Sequence, residues 1–428
     1  MKGGAQLKDI YASLDLGSST IKLVVGEVLN SNINVLFSKM IPSKGVVKGQ
    51  VTDEAAVSTT ILQLVKEAED ELETKITSVL LNIPTYHTRL YQHQGSCLVN
   101  SVDKKISEQH IVKALNQSTR FERSEKEAVV SVVPVNYYYG AQSSKDAPIG
   151  KMATSLYIDA LIITTSKKLL YAYVRCVERA GLSVIDICVN AYSCAKEAFD
   201  EVYLREGAIL IDIGYKTTSI SFFEDGYLKF LTNVPMGGQQ LTKRIANAWE
   251  IPMTKAETYK IKYGTCNTLL GDEDVIHVTY KGQEVLPHTQ KDLAILLSQG
   301  IEDMMQAVKE QIMVINSGQR YEVVIVGGGG ELENIEDVSS RVLECPVRTY
   351  RPSTIGARQM ALTANLGLIY YLVDRSKLTG KQQPSLVLPD SSHTMASRFK
   401  GLTRTSSLNK QNENRISKVL DVLFSEED

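Results

Sequence analysis

One pattern constrains this chain more than any other: an Asp-x-Gly triplet set between two strand-like runs occurs twice. Residues 10–16 and 21–29 are rich in β-branched and aliphatic side chains, and they flank Gly17-Ser18-Ser19-Thr20, a tight polar loop. A third apolar stretch, 33–37, follows an Asn/Ser turn. The same order returns as a strand at 208–213, Gly214-Tyr215-Lys216-Thr217, a strand at 218–223, an Asp225-Gly226 hairpin turn and a strand at 228–231. A single loop of this kind is ordinarily a plain hairpin. Two of them, led by Asp15 and Asp212, predict a duplicated α/β fold.

The rest of the chain is read around that repeat. Apolar residues at Ala56, Ile61, Leu62, Val65, Ala68 and Leu72 mostly follow a 3.6-residue period, so 53–73 is expected to be helical. A short strand, 79–83, ends at Pro84. Residues 84–164 carry three strand-like runs around one helical stretch and read as an inserted α+β unit. Residues 235–316 read as mostly helical and end in a long amphipathic stretch, 291–314. Residues 376–412 are rich in Ser, Thr, Gln, Asn, Pro and Gly, the composition of a flexible linker.

Some function classes are disfavoured. The net charge is −2, so no global basic field points to nucleic acid. The six cysteines form no C-x-x-C pair and the histidines no H-x-x-x-H pair, so neither a zinc site nor a redox motif is indicated. The N-terminal residues lack an apolar core, so no signal peptide is expected, and no run of about 18 apolar residues suggests a membrane span.

The two loops have a definite chemistry. Glycine and small residues let backbone N–H groups approach a phosphate chain, hydroxyls and a lysine add donors and charge, and a strand-end aspartate suits Mg²⁺. In the first loop the candidates are Asp15, Gly17, Ser18, Ser19 and Lys22; in the second they are Asp212, Gly214, Thr217 and Thr218. Facing each other, such loops make a clamp around a nucleotide. A third element is the apolar run 323–326 leading into Gly327-Gly328-Gly329-Gly330, where a backbone passes flush against a flat ring or ribose. Gly237 and Gly238 precede a helix whose N-terminus faces phosphate in this reading. Glu257 and Lys260, at i and i+3, share one helix face and suit a ribose, or else form a plain surface ion pair. For hydrolysis, Asp186, Asn190 and Gln142 are polar candidates, and none stands out. The expectation is ATP and Mg²⁺ binding, with Asp15 and Asp212 holding the metal through water, and weak or no hydrolysis.

The last residues form a separate problem. Ile416, Val419, Leu420, Leu423 and Phe424 fall at i, i+3, i+4, i+7 and i+8, one stripe of a helix, with Arg415 and Lys418 beside it. Behind a linker, such a stripe must dock on a protein or lie in an anionic membrane interface. Five half-immersed side chains give only a few kcal/mol at ~25 cal/mol per Å², so one copy holds weakly and an array of copies holds firmly.

With these residues in place, the chain resembles the superfamily of actin, sugar kinases and heat-shock chaperone ATPases. Within it the match is to the FtsA family of bacterial cell-division proteins, over roughly 10–373 and again in the last fifteen residues. Val133-Pro134-Val135-Asn136-Tyr137 with Pro148-Ile149-Gly150-Lys151, Ala256-Glu257 through Lys260 to Tyr263-Gly264, and Pro346-Val347-Arg348 with Arg351-Pro352 and Gly356 carry that resemblance. Two departures stand out: Lys243 follows Thr242 where an acid is frequent, and Tyr215-Lys216 replaces a small glycine-rich pair.

The resemblance implies an actin-like, ribonuclease H-like fold divided as 8–83 plus 165–197, an inserted unit at 84–164, 198–234 plus 317–375, and a helical unit at 235–316. A linker at 376–411 and a membrane-targeting helix at 412–428 follow. It further implies self-assembly into filaments, binding of the FtsZ tail through 235–316, other division partners, and a peripheral place on the cytoplasmic face of the membrane at the septum. The alternatives are a PilM-like pilus-assembly adaptor and an ATPase or kinase of the same superfamily.

Overall fold

The computed structural model describes residues 9–29, 32–269, 273–315, 321–379 and 385. The chain opens with β1 (Ile10–Leu16), β2 (Thr20–Leu29) and β3 (Asn32–Pro42), an antiparallel meander in which Asp15 lies opposite Lys22. Every residue of β1 except Asp15 is buried, as a central strand requires. A small hairpin, β4 (Val46–Val47) and β5 (Gln50–Val51), leads into α1 (Glu54–Leu72). Asp53 caps α1 by accepting from the Ala56 N–H at 3.0 Å, and Val57, Ile61, Leu64, Val65 and Ala68 form its buried face. Each of its larger side chains contributes ~1.5–3 kcal/mol by leaving water. β6 (Ser78–Ile83) then joins β1 in parallel.

The inserted unit follows. β7 (Arg89–Leu98), α2 (Glu108–Ser118), β8 (Glu127–Tyr139), β9 (Gln142–Ser144) and β10 (Ser155–Ser166) make an antiparallel sheet in the order β7-β10-β8-β9. α2 covers one face, over a small core that includes Ile111, Tyr137, Leu156 and Ile158. The chain returns through α3 (Lys167–Arg179) to β11 (Ser183–Val189), which completes the first sheet as β11-β6-β1-β2-β3.

Two helices, α4 (Asn190–Ala198) and α5 (Glu201–Glu206), lead to a second meander of β12 (Ala208–Ile213), β13 (Thr218–Glu224) and β14 (Tyr227–Val234). Next come α6 (Gly238–Trp249), α7 (Met253–Tyr263), β15 (Val275–Lys281), β16 (Glu284–Thr289) and α8 (Gln290–Ile312). The β15–β16 hairpin departs from the mostly helical reading of this segment. Its signal, a β-branched and aromatic run on either side of Lys281-Gly282-Gln283, is drowned by the long helical pattern of α8. Thr289 and Asp292 close a capping box at the start of α8, with bonds of 2.8 and 3.1 Å.

β17 (Glu322–Val326) pairs in parallel with β12. After α9 (Ile335–Leu343), β18 (Val347–Thr349) completes a second sheet ordered β14-β13-β12-β17-β18. The two sheets match strand for strand: each has a three-strand meander whose first strand is central and carries two parallel strands on its other side. The duplication expected from the paired Asp-x-Gly loops is therefore present; one core runs across both sheets, and a second lies on the other face of the second sheet.

The last helix, α10 (Thr363–Thr379), runs past residue 376, where the linker reading began. Beyond it, Ser385 is buried on β1: its N–H donates to the Ile10 carbonyl at 2.8 Å, and its hydroxyl accepts from the Ala12 N–H at 3.0 Å. Among the described residues, no helix is long and apolar enough to cross a membrane. The helix expected at 412–428, with Arg415, Ile416, Lys418, Val419, Leu420, Leu423 and Phe424, lies outside the described residues.

Candidate functional site

The ends of β1 and β12 meet across a cleft of about 670 Å³. In each half the loop closes the same way: Gly17 N–H donates to Thr20 O at 3.1 Å, and Gly214 N–H donates to Thr217 O at 3.0 Å. Asp15, Gly17, Ser18, Ser19, Lys22, Asp212, Gly214, Thr217, Gly238, Glu257, Lys260 and Gly327-Gly328-Gly329 all line this one space. Residues far apart in sequence thus converge as the loop chemistry required.

Four side chains set the electrostatics of the floor. Lys22 Nζ sits 2.6 Å from Asp15 Oδ2, and Asn190 Nδ2 donates to Asp212 Oδ2 at 2.6 Å. Burial opposes the charge on Lys22, but Asp15, with Asp212 further off, outweighs it and holds the ammonium above its usual range. The Asp212 carboxyl is pushed up to about 6, first by burial and also by Asp15, against the pull of Lys22 and Asn190. A buried carboxylate pushed up in this way gains from a cation beside it.

Asn190 Oδ1 is buried in the same place with no hydrogen-bond partner. Two carboxylates, an unsatisfied amide oxygen and room for water fit Mg²⁺, which takes few protein ligands and keeps several waters. The described residues contain no cluster of three or more His, Cys, Asp or Glu side chains that would hold a metal by protein ligands alone.

The glycine run is placed by steric need. Gly327 turns at φ +83°, and a Cβ there would collide with Asp212 Oδ1, while one at Gly329 would strike the Ile213 side chain. The backbone passes directly over the end of β12 because these residues have no side chains.

Three expectations change in detail. Thr218 does not reach the cleft: it is fully buried, with its hydroxyl donating to Met236 O at 2.9 Å. As the first residue of β13, its side chain points to the core side of the sheet. The start of α6 braces the second loop and has few N–H groups to spare. Gly238 N–H donates to Gly214 O at 2.9 Å and Gln239 N–H to Tyr215 O at 2.7 Å, while Gly237 lies behind that loop. Lys260 spends all three protons on Gly238 O, Thr242 Oγ1 and Glu257 Oε2, at 3.0, 2.9 and 2.9 Å. Burial lowers its pKa and Glu257 opposes that, so of this pair Glu257 is the better ribose acceptor.

The polar hydrolysis candidates separate cleanly. Asp186 is buried against Arg375 at 2.5 Å and Gln142 is exposed on β9, so neither is in the cleft; Asn190 is. Sequence reasoning missed a bridge between the halves, where Thr85 after β6 bonds to Ser219 and Asn233 of β13 and β14 at 2.7 and 2.9 Å. Single hydroxyl and amide residues inside strands carry no motif, and only the tertiary fold assembles them.

Two sheets of one topology, with their Asp–Gly loops on opposite walls of a shared cleft, define an actin-like protein. Solved structures agree on that fold. The PilM–PilN type IV pilus biogenesis complex superposes with a TM-score of 0.59 at 15% identity, covering 84% of this chain and 98% of that one. MreB5 of Spiroplasma citri bound to AMPPNP gives 0.51 at 14%, covering 87% and 99%.

Within that class the chain is similar to the FtsA proteins. The family described as cell division protein FtsA matches residues 209–367. The cell division protein FtsA of Bacillus subtilis (strain 168) is 25% identical over 377 residues, 87% of this chain and 86% of that protein.

Proposed function

We propose that this chain is an ATP-operated division adaptor that assembles with itself and ties FtsZ filaments to the cytoplasmic face of the membrane at the septum. The observation that carries the nucleotide part is the convergence of both Asp–Gly loops, Lys22 and Gly327–Gly329 on one cleft. In this reading Ser18, Ser19 and Thr217 cradle the phosphates, Gly17 and Gly214 shape the loops that present them, Lys22 supplies charge, and the glycine run accepts the adenosine. Asp15, Asp212 and Asn190 would hold Mg²⁺ through water. When bound, that ion neutralises phosphate charge. MreB5, of the same fold, is seen with AMPPNP.

Binding with weak or no hydrolysis fits the carboxylates on hand. Asp15 is held by Lys22, Asp212 by Asn190, Glu257 by Lys260 and Glu331 by Arg351. Among the described cleft residues, no carboxylate is left free to orient water for in-line attack. The relationship to FtsA supports the division role, the FtsZ tail contact through 235–316 and the terminal helix as membrane anchor. The divisions at 8–83 plus 165–197, 84–164, 198–234 plus 317–375 and 235–316 are proposed on the same basis. The likeness to PilM is one of fold.

Nucleotide titration in Mg²⁺ tests the core of this reading: Asp212→Ala should lose ATP binding, and retained affinity would overturn it. Liposome flotation of the chain lacking 412–428 tests the anchor, with unchanged flotation as the contrary result. Pull-down with an FtsZ tail peptide tests the partner.

A further inference from the structure

Beside the cleft lies a second cavity of about 580 Å³. Three lysines reach its walls, Lys48, Lys216 and Lys243, and no aspartate or glutamate does. Lys48 stands in the turn between β4 and β5, Lys216 follows Tyr215 in the second loop, and Lys243 is exposed on the first turns of α6. Among the described residues none of the three has an ion-pair or side-chain hydrogen-bond partner. By contrast, the lysines on the floor and flank of the neighbouring cleft, Lys22 and Lys260, each face a carboxylate.

Three unmatched cations around one concavity repel each other, and a counter-anion removes that cost. The positive end of the α6 dipole adds to the same field. The rest of the wall is neutral, and Tyr215, Gln239, Gln240 and Asn247 supply hydroxyl and amide groups.

We propose that this cavity is a second anion site, for a small phosphate such as inorganic phosphate or pyrophosphate. Lysine ammoniums bind phosphate as compact point charges, without the planar fork that would favour a carboxylate. Lys48 and Lys216 also line the nucleotide cleft, so these side chains form a wall common to the two spaces. Two sources can fill the site: free phosphate from solution, or phosphate leaving a nucleotide in the cleft, and the second rests on the nucleotide reading above. Because Lys48 belongs to the first half and Lys216 and Lys243 to the second, an occupant draws the halves together and favours a closed cleft.

Equilibrium dialysis of the full chain against radiolabelled inorganic phosphate, with and without saturating AMPPNP, tests this. Bound phosphate should be retained in both conditions. In the nucleotide-free arm retention reports free phosphate, and in the loaded arm it reports a place still open when the cleft is full. Lys243→Ala should weaken phosphate binding roughly tenfold and leave AMPPNP affinity unchanged, since Lys243 does not line the cleft. Lys243→Gln should behave the same way, which guards against a folding defect in one variant. Added salt should weaken the binding. Phosphate fully displaced by AMPPNP and indifferent to Lys243→Ala sits in the cleft, and the proposal is then wrong; no retention in either arm also overturns it. If AMPPNP itself fails to bind, the nucleotide reading falls while the Lys243 dependence still decides the anion site.

Discussion

At Gly327 the backbone crosses the end of β12 at φ +83° with Asp212 Oδ1 where a Cβ would go. Alanine there pays twice, in a left-handed conformation and in displacement of the aspartate. Gly327→Ala should cost ~1–3 kcal/mol of stability, seen in thermal denaturation, and weaken nucleotide binding at least tenfold in the same titration used for Asp212→Ala. A variant with unchanged nucleotide affinity would mean the glycine run serves packing alone. Asp15, Asp212 and the glycines were legible in the sequence because each is tied to a strand end, where alternation and turn chemistry fix position. Asn190 was a weak candidate, since nothing near it in sequence names its partner. Thr218 was misplaced because a one-residue step along a strand turns a side chain to the other face.

Among the elements, the β15–β16 hairpin is the one the sequence concealed, and it brings a titratable pair into contact with Trp249, the chain's single tryptophan. His288 stacks on Trp249 at 4.7 Å between ring centres, and His277 lies 5.9 Å from His288 and 5.2 Å from Tyr259. Burial lowers the pKa of His277, with Lys255 and His288 adding repulsion, and burial lowers that of His288 against the attraction of Asp292. A base depressed on folding favours the folded state above its unfolded pKa, ~6.5 for histidine, and that support is lost as pH falls. Trp249 emission should therefore change as pH falls below about 6.5, before global unfolding by circular dichroism. His288→Gln should remove most of the change; an identical response in that variant would assign it elsewhere. The meanders and α1 were read nearly to their ends because their periodicity is clean. The hairpin was lost beside α8, whose buried stripe dominates the segment.

For the whole molecule, the two halves meet where α10 crosses α4. Gly367 lies so close to Ser193 that a Cβ would collide with its carbonyl, and Lys196 pairs with Asp374 at 2.8 Å nearby. α4 carries Asn190 at its first residue, so the crossing also sets the cleft. Gly367→Ala should force the helices apart, costing ~1–3 kcal/mol in urea denaturation, and should lower nucleotide affinity although the site is untouched. Full affinity with lowered stability would separate the crossing from the cleft. The duplication was readable in the sequence because both meanders share one order of elements. The crossing was not, since a lone glycine in a helix names no partner.

Ser385 gives this architecture a mechanical consequence. It fastens to Ile10 and Ala12 of β1, the strand that ends at Asp15. Tension on the chain beyond Ser385 meets that strand, through these two hydrogen bonds, before it reaches α10. The segment at Ser385 and the loop that follows Asp15 are therefore coupled through a single strand.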